Sequence, residues 1–256
     1  MVDLHTHMLP RLDDGSQSMR ESLMMARMAV DSGVSGIAVT PHCNIRGVYD
    51  NYDGEEFRKR VADFREEIKK EKLPLKVFVG AEVFAGENLA ELIRTKTVVP
   101  LNDGRYLLIE FPFGEDGDWM TFLLNVVLEN GYVPLVAHPE RYDQVQADPN
   151  LAYTWVCMGC ALQVNKGSII GHFGRRVRQT AMLLLEHELA ACVASDAHHA
   201  EFRTPHMTEV KEYLEQAFGK SCVQLLLKDN PMRILNSEEA VLLSPRGFRR
   251  KWFGLE

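Results

Sequence analysis

The sequence predicts an α/β fold: one barrel-sized domain of parallel strands with its chemistry at one rim. Three observations point there. Short β-like runs alternate with helical patterns along almost the whole chain, as parallel strands joined by crossover helices require. The chain has 256 residues and 46% hydrophobic content, which suits a single large α/β core. Finally, nearly every predicted strand ends in a residue of metal-ligand type, and in a barrel those ends converge on one mouth.

The first strand, Val2–His7, ends in His5-Thr-His7. Two histidines two positions apart on a strand point to the same face, so both imidazoles can reach one ion. Alone, such a pair is more often an accident of composition than a ligand pair. Ser18-x-x-Glu21 then has capping-box form, and Leu23, Ala26, Met28, Ala29 and Val30 supply a buried helical stripe that stops at Gly33; its methionines read as core. The second strand, Gly36–Thr40, runs into Pro41-His42. Asp53–Lys72 is a charged amphipathic helix, whose acidic and basic residues form a solvated face. The third strand, Lys76–Glu82, ends on a carboxylate and precedes a helix over Glu87–Thr95. The fourth, Tyr106–Phe111, carries Glu110 and precedes a helix over Asp118–Asn130. The fifth, Val133–His138, continues as Pro139-Glu140-Arg141, with a helix at Leu151–Met158 beyond it. Ala161–Asn165 is the sixth, followed by a helix over Arg175–Glu188, and Ala190–Ser195 is the seventh, ending Asp196-Ala-His198. Helices over Pro205–Ala217 and Lys220–Asp229 complete the pattern, without repeats or low-complexity segments.

The strand ends and the first turn thus offer nine candidate metal ligands: His5, His7, Asp14, His42, Glu82, Glu110, His138, Asp196 and His198. Each one alone has a plain structural reading, because a lone His is more often a satisfied hydrogen-bonding group and a lone buried Glu can be paired. Together they would leave like charges repelling at one rim unless cations sat between them. Nine ligands exceed what one tetrahedral ion needs, so a cluster of two or three bridged divalent ions is indicated; imidazole mixed with carboxylate suits Mn, Fe or Zn. The remaining histidines, His172, His187, His199 and His206, lie away from strand ends; His187 reads as a helix-end residue and the others as solvated, with a supporting role beside the ligands as the alternative for His199. Arg141 stands three residues after His138 and Arg203 five after His198. A guanidinium fork beside a metal centre suits a phosphate, which makes phosphoester hydrolysis the leading chemistry.

Composition excludes several other classes. Lys plus Arg number 29 against 36 Asp plus Glu, a formal charge of −7 that disfavours nonspecific attraction to nucleic acid. With no apolar run of membrane-spanning length and no charged leader, a cytoplasmic protein is expected. The five cysteines read as reduced thiols, and Cys157-x-x-Cys160, lacking a second pair, reads as buried thiols instead of a zinc site. From Ser237 onward periodicity fades; the basic, aromatic end Arg246-Gly-Phe-Arg249-Arg250-Lys251-Trp252-Phe253 reads as a frayed tail, with a weak contact to an anionic membrane surface or acidic partner as the sharper reading. The expected division is therefore a barrel over 1–236 and a tail over 237–256.

These pieces together resemble the PHP (polymerase and histidinol phosphatase) family, and within it the bacterial metal-dependent protein-tyrosine phosphatases linked to capsule and exopolysaccharide synthesis. The resemblance rests on Asp3-Leu-His5-Thr-His7 with Asp13-Asp14-Gly15, Thr40-Pro-His42, Gly80-Ala-Glu82, Leu108-Ile-Glu110-Phe, Ala137-His138-Pro-Glu-Arg141-Tyr, Leu162-Gln-Val-Asn165-Lys-Gly-Ser168, Ser195-Asp196-Ala-His198, Arg203-Thr-Pro-His206-Met and Asn230-Pro-Met-Arg-Ile-Leu235. It implies a distorted (β/α)7 TIM-like barrel holding three divalent ions, Mn first with Fe or Zn as alternatives. The family pattern would give His5, His7, Glu82 and Asp196 to the first ion, Glu82, Glu110 and His138 to the second, and Asp14, His42 and His198 to the third, with Asp13 competing for the place of Asp14. The implied substrate is phosphotyrosine on the tyrosine-rich tail of a bacterial tyrosine kinase that controls polysaccharide chain length. Chemically, a metal-generated hydroxide would attack phosphorus while the ions and Arg141 and Arg203 hold the developing charge.

Cysteine chemistry is excluded by arithmetic. Cysteine-based tyrosine phosphatases place an Arg six positions after the nucleophile, and here those positions hold Tyr49, Gln163, Lys166, His198 and Lys228. A small-molecule phosphatase such as a histidinol phosphatase would share every ligand. An amidohydrolase also opens with His-x-His, but it commonly uses a modified Lys on strand four and a His on strand six, where Glu110 and Asn165 stand. A metal-stabilised scaffold has no use for open metal sites.

Overall fold

In the computed structural model, which describes residues 1–248, the chain forms ten strand segments: β1 (Val2–Thr6), β2 (Gly36–Val39), β3 (His42–Ile45), β4 (Tyr49–Asp50), β5 (Lys76–Val79), β6 (Glu82–Phe84), β7 (Tyr106–Glu110), β8 (Val133–Ala137), β9 (Ala161–Asn165) and β10 (Cys192–Ala194). Two pairs of them are single strands interrupted at the same level. Pro41 has no N–H to give a ladder, so β2 and β3 separate at Thr40-Pro41, and the neighbouring strand breaks at Gly80-Ala81 between β5 and β6. The lower halves pair as Val39 with Val79 and the upper halves as His42 with Glu82, which sets these two side chains next to each other at the rim.

All ladders are parallel except the short β3–β4 hairpin. The order β1-β2-β5 continues through β6-β7-β8-β9-β10, and a parallel bridge from Thr6 to Ala197 returns to β1. His7 N donates to Ala197 O at 2.8 Å and Asp196 N to His5 O at 2.9 Å across this seam. The seven predicted strands therefore close into a distorted (β/α)7 barrel, with both faces of the strands buried as parallel sheets require. Along β7, Leu107 and Ile109 join the large apolar cluster under the helices, while Tyr106 and Leu108 join a smaller one with Leu4, Phe78 and Leu135. Glu110 continues the Tyr106–Leu108 side of the strand and so stands above the smaller cluster, at the mouth.

The helices follow the sequence pattern with shifts at their ends. Ser18 caps Met19–Asp31 by accepting from Glu21 N, and Glu21 reaches back to Gln17 N at 2.9 Å. Helix Glu55–Lys70 buries Phe57, Val61, Phe64 and Ile68, and Asp53, just outside it, pairs with Arg58. Of the expected stripe, Leu23, Ala26 and Ala29 are buried, joined by Met25, whereas Met28 and Val30 are half-buried and Met24 is exposed, so the core face is narrower than the sequence reading. The helix expected over Pro205–Ala217 begins at Thr208 instead, and the last helix passes through a π-turn at Leu225–Asp229 and continues as α-helix to Leu235. Cys157 is exposed, contrary to the expectation of two buried thiols, whereas Cys160 is buried.

The segment after Ser237 is not frayed as far as it is described. Tyr106 Oη donates to Glu238 O, Asn230 exchanges bonds of 2.8 and 2.9 Å with Val241, and Phe248 stacks on His187 at 3.8 Å. These contacts satisfy backbone groups that the fading periodicity left unassigned. The basic stretch from Arg249 onward lies outside the described residues. Among the described residues, no helix is long and apolar enough to cross a membrane.

Candidate metal centre

Glu82 is the hub of the mouth. Its carboxylate is 1% exposed, with Oε2 at 3.1 Å from His5 Nε2, 3.3 Å from His7 Nε2 and 3.1 Å from His42 Nδ1, and Oε1 at 3.1 Å from His138 Nε2. The other eight candidates surround it. Asp196 Oδ1 lies 3.5 Å from His5, His7 and His198; Glu110 lies 3.4 Å from His42 and 3.6 Å from His138; Asp14 Oδ1 lies 3.5 Å from His42 and 3.6 Å from His198. All nine sequence candidates are thus brought together. Their donor atoms form four overlapping groups: His7, Asp14, His42 and His198; His5, His7 and Asp196; His5, Glu82 and His138; His42, Glu82 and Glu110. His42 borders two groups because its two ring nitrogens face opposite ways, one toward Glu82 and one toward Asp14. Asp14, with a side chain 54% exposed, opens the cluster to solvent.

The residues present fit divalent cations. Glu82 Oε2 and His42 Nδ1 are buried without a hydrogen-bond partner, and His5 Nε2 faces His7 Nε2 at 3.1 Å, nitrogen against nitrogen. Such atoms are costly in a protein interior unless something joins them. The electrostatics say the same. Burial alone would depress His5, yet Glu82 and Asp196 raise it to about 9, and against the same burial Glu82 and Glu110 raise His42 to about 12. Burial opposes ionisation of Glu82 and Asp196, but the imidazoles of His5 and His42 around the first, and His5 with Arg203 around the second, hold both carboxyls far below the usual range. His198 is pushed down to about 2 by burial and by His7 beside it. The carboxylates draw more positive charge than five crowded imidazoles supply, and cations would answer that demand.

Supporting groups fix the ring orientations. Asp13, held at about 2 despite burial because His7 lies beside it, accepts from His7 Nδ1 at 2.6 Å and from the Gly15 and His42 amides, so its oxygens are engaged and Asp14 is the carboxylate facing the cluster. Gly15 makes this turn possible: a Cβ there would stand 2.2 Å from His7 O. Gln163 Oε1 accepts from His5 Nδ1 at 2.9 Å, and Asn165 Nδ2 donates to Asp196 Oδ2 at 2.6 Å. His198 Nδ1 donates to Asp196 O at 3.0 Å, which leaves Nε2 for the cluster. Gln163 and Asn165 were not singled out as site residues by sequence. Their signal was available, since two amides at alternate positions of an otherwise apolar strand share one face. His199 is not with them; it sits at the rim against Glu21 and Phe202.

Both arginines reach the cluster through Asp196. Arg203 Nη2 lies 2.6 Å and Arg141 Nη1 3.5 Å from Asp196 Oδ2. The loop carrying Arg203 is tied down by Lys166, whose buried Nζ donates to Thr204 O and, at 2.8 Å, to His206 O. Burial lowers Lys166 from 10.5 to about 8, with Asp3, Glu209 and Asp196 opposing. Between those two values the unfolded chain keeps a proton that the folded one has released, so stability rises with pH there. Relative to Lys166→Met, the unmodified chain is expected to gain on the order of 1 kcal/mol per pH unit near pH 9 in urea unfolding. Parallel pH profiles for the two proteins would show that the ammonium is not destabilised by burial.

The chain is 35% identical over 255 residues to the tyrosine-protein phosphatase YwqE of Bacillus subtilis (strain 168), covering 99% of each. It is 29% identical over 240 residues to the tyrosine-protein phosphatase CpsB of Streptococcus pneumoniae, covering 92% of this chain and 98% of that one. Its fold superposes with a TM-score of 0.90, at 34% identity and over 98% of this chain and 100% of the other, on a crystal structure from work on YwqE and CpsB, described as unique metal-dependent tyrosine phosphatases. Residues 1–236 match the family described as capsular polysaccharide synthesis, CpsB/CapC. With that match spanning every strand and every candidate ligand of the barrel, the chain belongs to the CpsB/CapC family of capsular polysaccharide synthesis.

Proposed function

We propose that this chain is a metal-dependent protein-tyrosine phosphatase, with residues 1–236 as the catalytic unit. The observation that carries the reading is Glu82, one buried carboxylate in contact with four imidazoles at the mouth of the barrel. Three ions, Mn before Fe or Zn, would be held by His5, His7, Glu82 and Asp196, by Glu82, Glu110 and His138, and by Asp14, His42 and His198. When bound, they would supply an acidified water and Lewis-acid stabilisation of phosphoryl oxygens. The side chains do the rest. Arg141 and Arg203 offer planar donors to the oxygens the ions leave free, and Asp196 holds both forks at one edge of the site. Gln163 and Asp13 keep the His5 and His7 rings turned so that their Nε2 lone pairs face the cluster. A phenolate leaving group, with a reference pKa of about 10, departs with little protonation, so this chemistry does not call for a dedicated acid.

The substrate we assign is phosphotyrosine on a bacterial tyrosine kinase of the polysaccharide machinery, met in the cytoplasm. The relatives' names support the phosphotyrosine assignment. A weak contact of the basic C-terminal end with an anionic membrane surface belongs to the same reading. The test is turnover of a phosphotyrosine peptide against histidinol phosphate by Mn-reconstituted protein. Preference for the peptide is expected; preference for the small phosphate would replace this reading by that of a small-molecule phosphatase. Gln163→Leu is expected to weaken metal affinity by roughly 10–100-fold, measured by competition with a chelating dye, because the His5 ring loses its anchor. An unchanged affinity would mean that packing alone orients His5.

A further inference from the structure

Arg141 and Arg203 come from different loops, yet the face of one aromatic ring lies within cation–π range of both. The Arg141 guanidinium carbon lies 4.3 Å from the Phe113 ring centroid and 4.6 Å from that of Phe173, and the Arg203 guanidinium carbon lies 5.9 Å from Phe173. Both guanidiniums also converge on a single oxygen, Asp196 Oδ2. Two cations brought to one carboxylate oxygen repel each other and, on long side chains, have other rotamers to escape into. A ring face that attracts both offsets that tendency.

The chain builds a seat for this ring. Helix Lys166–Ile169 is followed by a tight turn in which Gly171 and Gly174 take φ of +90° and +93°, and His172 N donates back to Gly167 O at 2.8 Å. Under the ring lies Gly167, where a Cβ would stand 2.7 Å from Phe173 Cε2 and 3.1 Å from Cζ. The half-buried ring therefore rests on bare backbone at a height that a side chain would not allow.

We propose that Phe173 is a positioning residue of this site: seated on Gly167, its ring holds the Arg141 and Arg203 guanidiniums side by side, preset for the oxygens of a phosphate. This rests on reading the site as one for phosphate esters. Preset donors matter because misplacing a charged group by about 1 Å can cost 10²-fold in rate.

The experiment compares Phe173→Leu, Phe173→Tyr and Gly167→Ala with the unmodified chain, all full length and loaded with Mn. It reads kcat and KM on a phosphotyrosine peptide, calorimetric affinity for inorganic phosphate, metal content and thermal midpoint. Phe173→Leu is expected to lower kcat and phosphate affinity by roughly 10-fold each with metal content unchanged, and Phe173→Tyr to restore both to within about 2-fold. Gly167→Ala, which lifts the ring without removing it, is expected to act in the same direction as Phe173→Leu. In an Arg141→Ala/Arg203→Ala background, Phe173→Leu should cost no further phosphate affinity. The proposal is overturned if Phe173→Leu matches the unmodified chain, or if its loss persists in full when both arginines are gone. If the unmodified chain cleaves no phosphate ester while Phe173→Leu still loses phosphate affinity, the positioning role stands and the phosphatase reading falls. Turnover by the unmodified chain with an unaltered Phe173→Leu has the opposite meaning.

Discussion

Replacing Glu82 with Gln is expected to lower kcat/KM on a phosphotyrosine peptide by roughly 10³-fold or more, because the proposed site would lose the buried charge that draws its cations, and with it several kcal/mol of transition-state stabilisation. The substitution is nearly isosteric, so the barrel should remain folded. What changes is electrostatic: Glu82 is the carboxylate that His5, His7, His42 and His138 all face, and an amide in its place contributes one neutral oxygen where two charged ones stood. Metal analysis should show the loss of at least one ion per chain, and circular dichroism should be unaltered. A Glu82→Gln protein that keeps both its metal and its rate would place the reacting centre elsewhere on the molecule.

Removing the metal is expected to cost stability on the same scale. Without cations, Glu82 and Asp196 are buried carboxylates balanced only by imidazoles and two arginines, and Glu82 Oε2 and His42 Nδ1 lack hydrogen-bond partners. A ligand present at 1,000 times its dissociation constant stabilises the folded state by about 4 kcal/mol. In a chain of this size each kcal/mol moves the thermal midpoint by about 2–4 °C, so chelation should lower it by on the order of 10 °C. Re-addition of Mn should restore it. A midpoint indifferent to chelator would mean that the crowded side chains neutralise one another without an ion.

The barrel and its rim were legible in the sequence because both depend on local chemistry. Strand ends carry the candidate ligands in the next residue or two, as in Thr40-Pro-His42, Gly80-Ala-Glu82 and Ser195-Asp196-Ala-His198, and the barrel brings those ends together whatever the intervening helices do. The choice between Asp13 and Asp14 was not legible, since it depends on a turn in which Asp13 folds back to His7 and the Gly15 and His42 amides. Nor was the continuation of the second strand through His42–Ile45, because Pro41 hides it as a break. The late start of the helix at Thr208 reflects a tertiary cause: Lys166 holds the carbonyls of Thr204 and His206 in a loop. Residues 237–248 looked unstructured for a related reason, as two of their partners, Tyr106 and His187, are far away in sequence and the third, Asn230, lies across a turn of the chain. Side chains at His138 and Asp196 adopt their aim from left-handed backbone, φ 34° and 51°; His and Asp take that conformation more often than most residues do, but the sequence does not say at which position.

The most direct test of the account is a metal titration of activity. Protein stripped by chelator and dialysed would be given increasing equivalents of Mn, and hydrolysis of a phosphotyrosine peptide followed at each step. Activity absent without metal, returning only as more than one equivalent is bound per chain, and never returning in Glu82→Gln is the predicted result. Full activity in the stripped protein would contradict the metal centre as the seat of the chemistry.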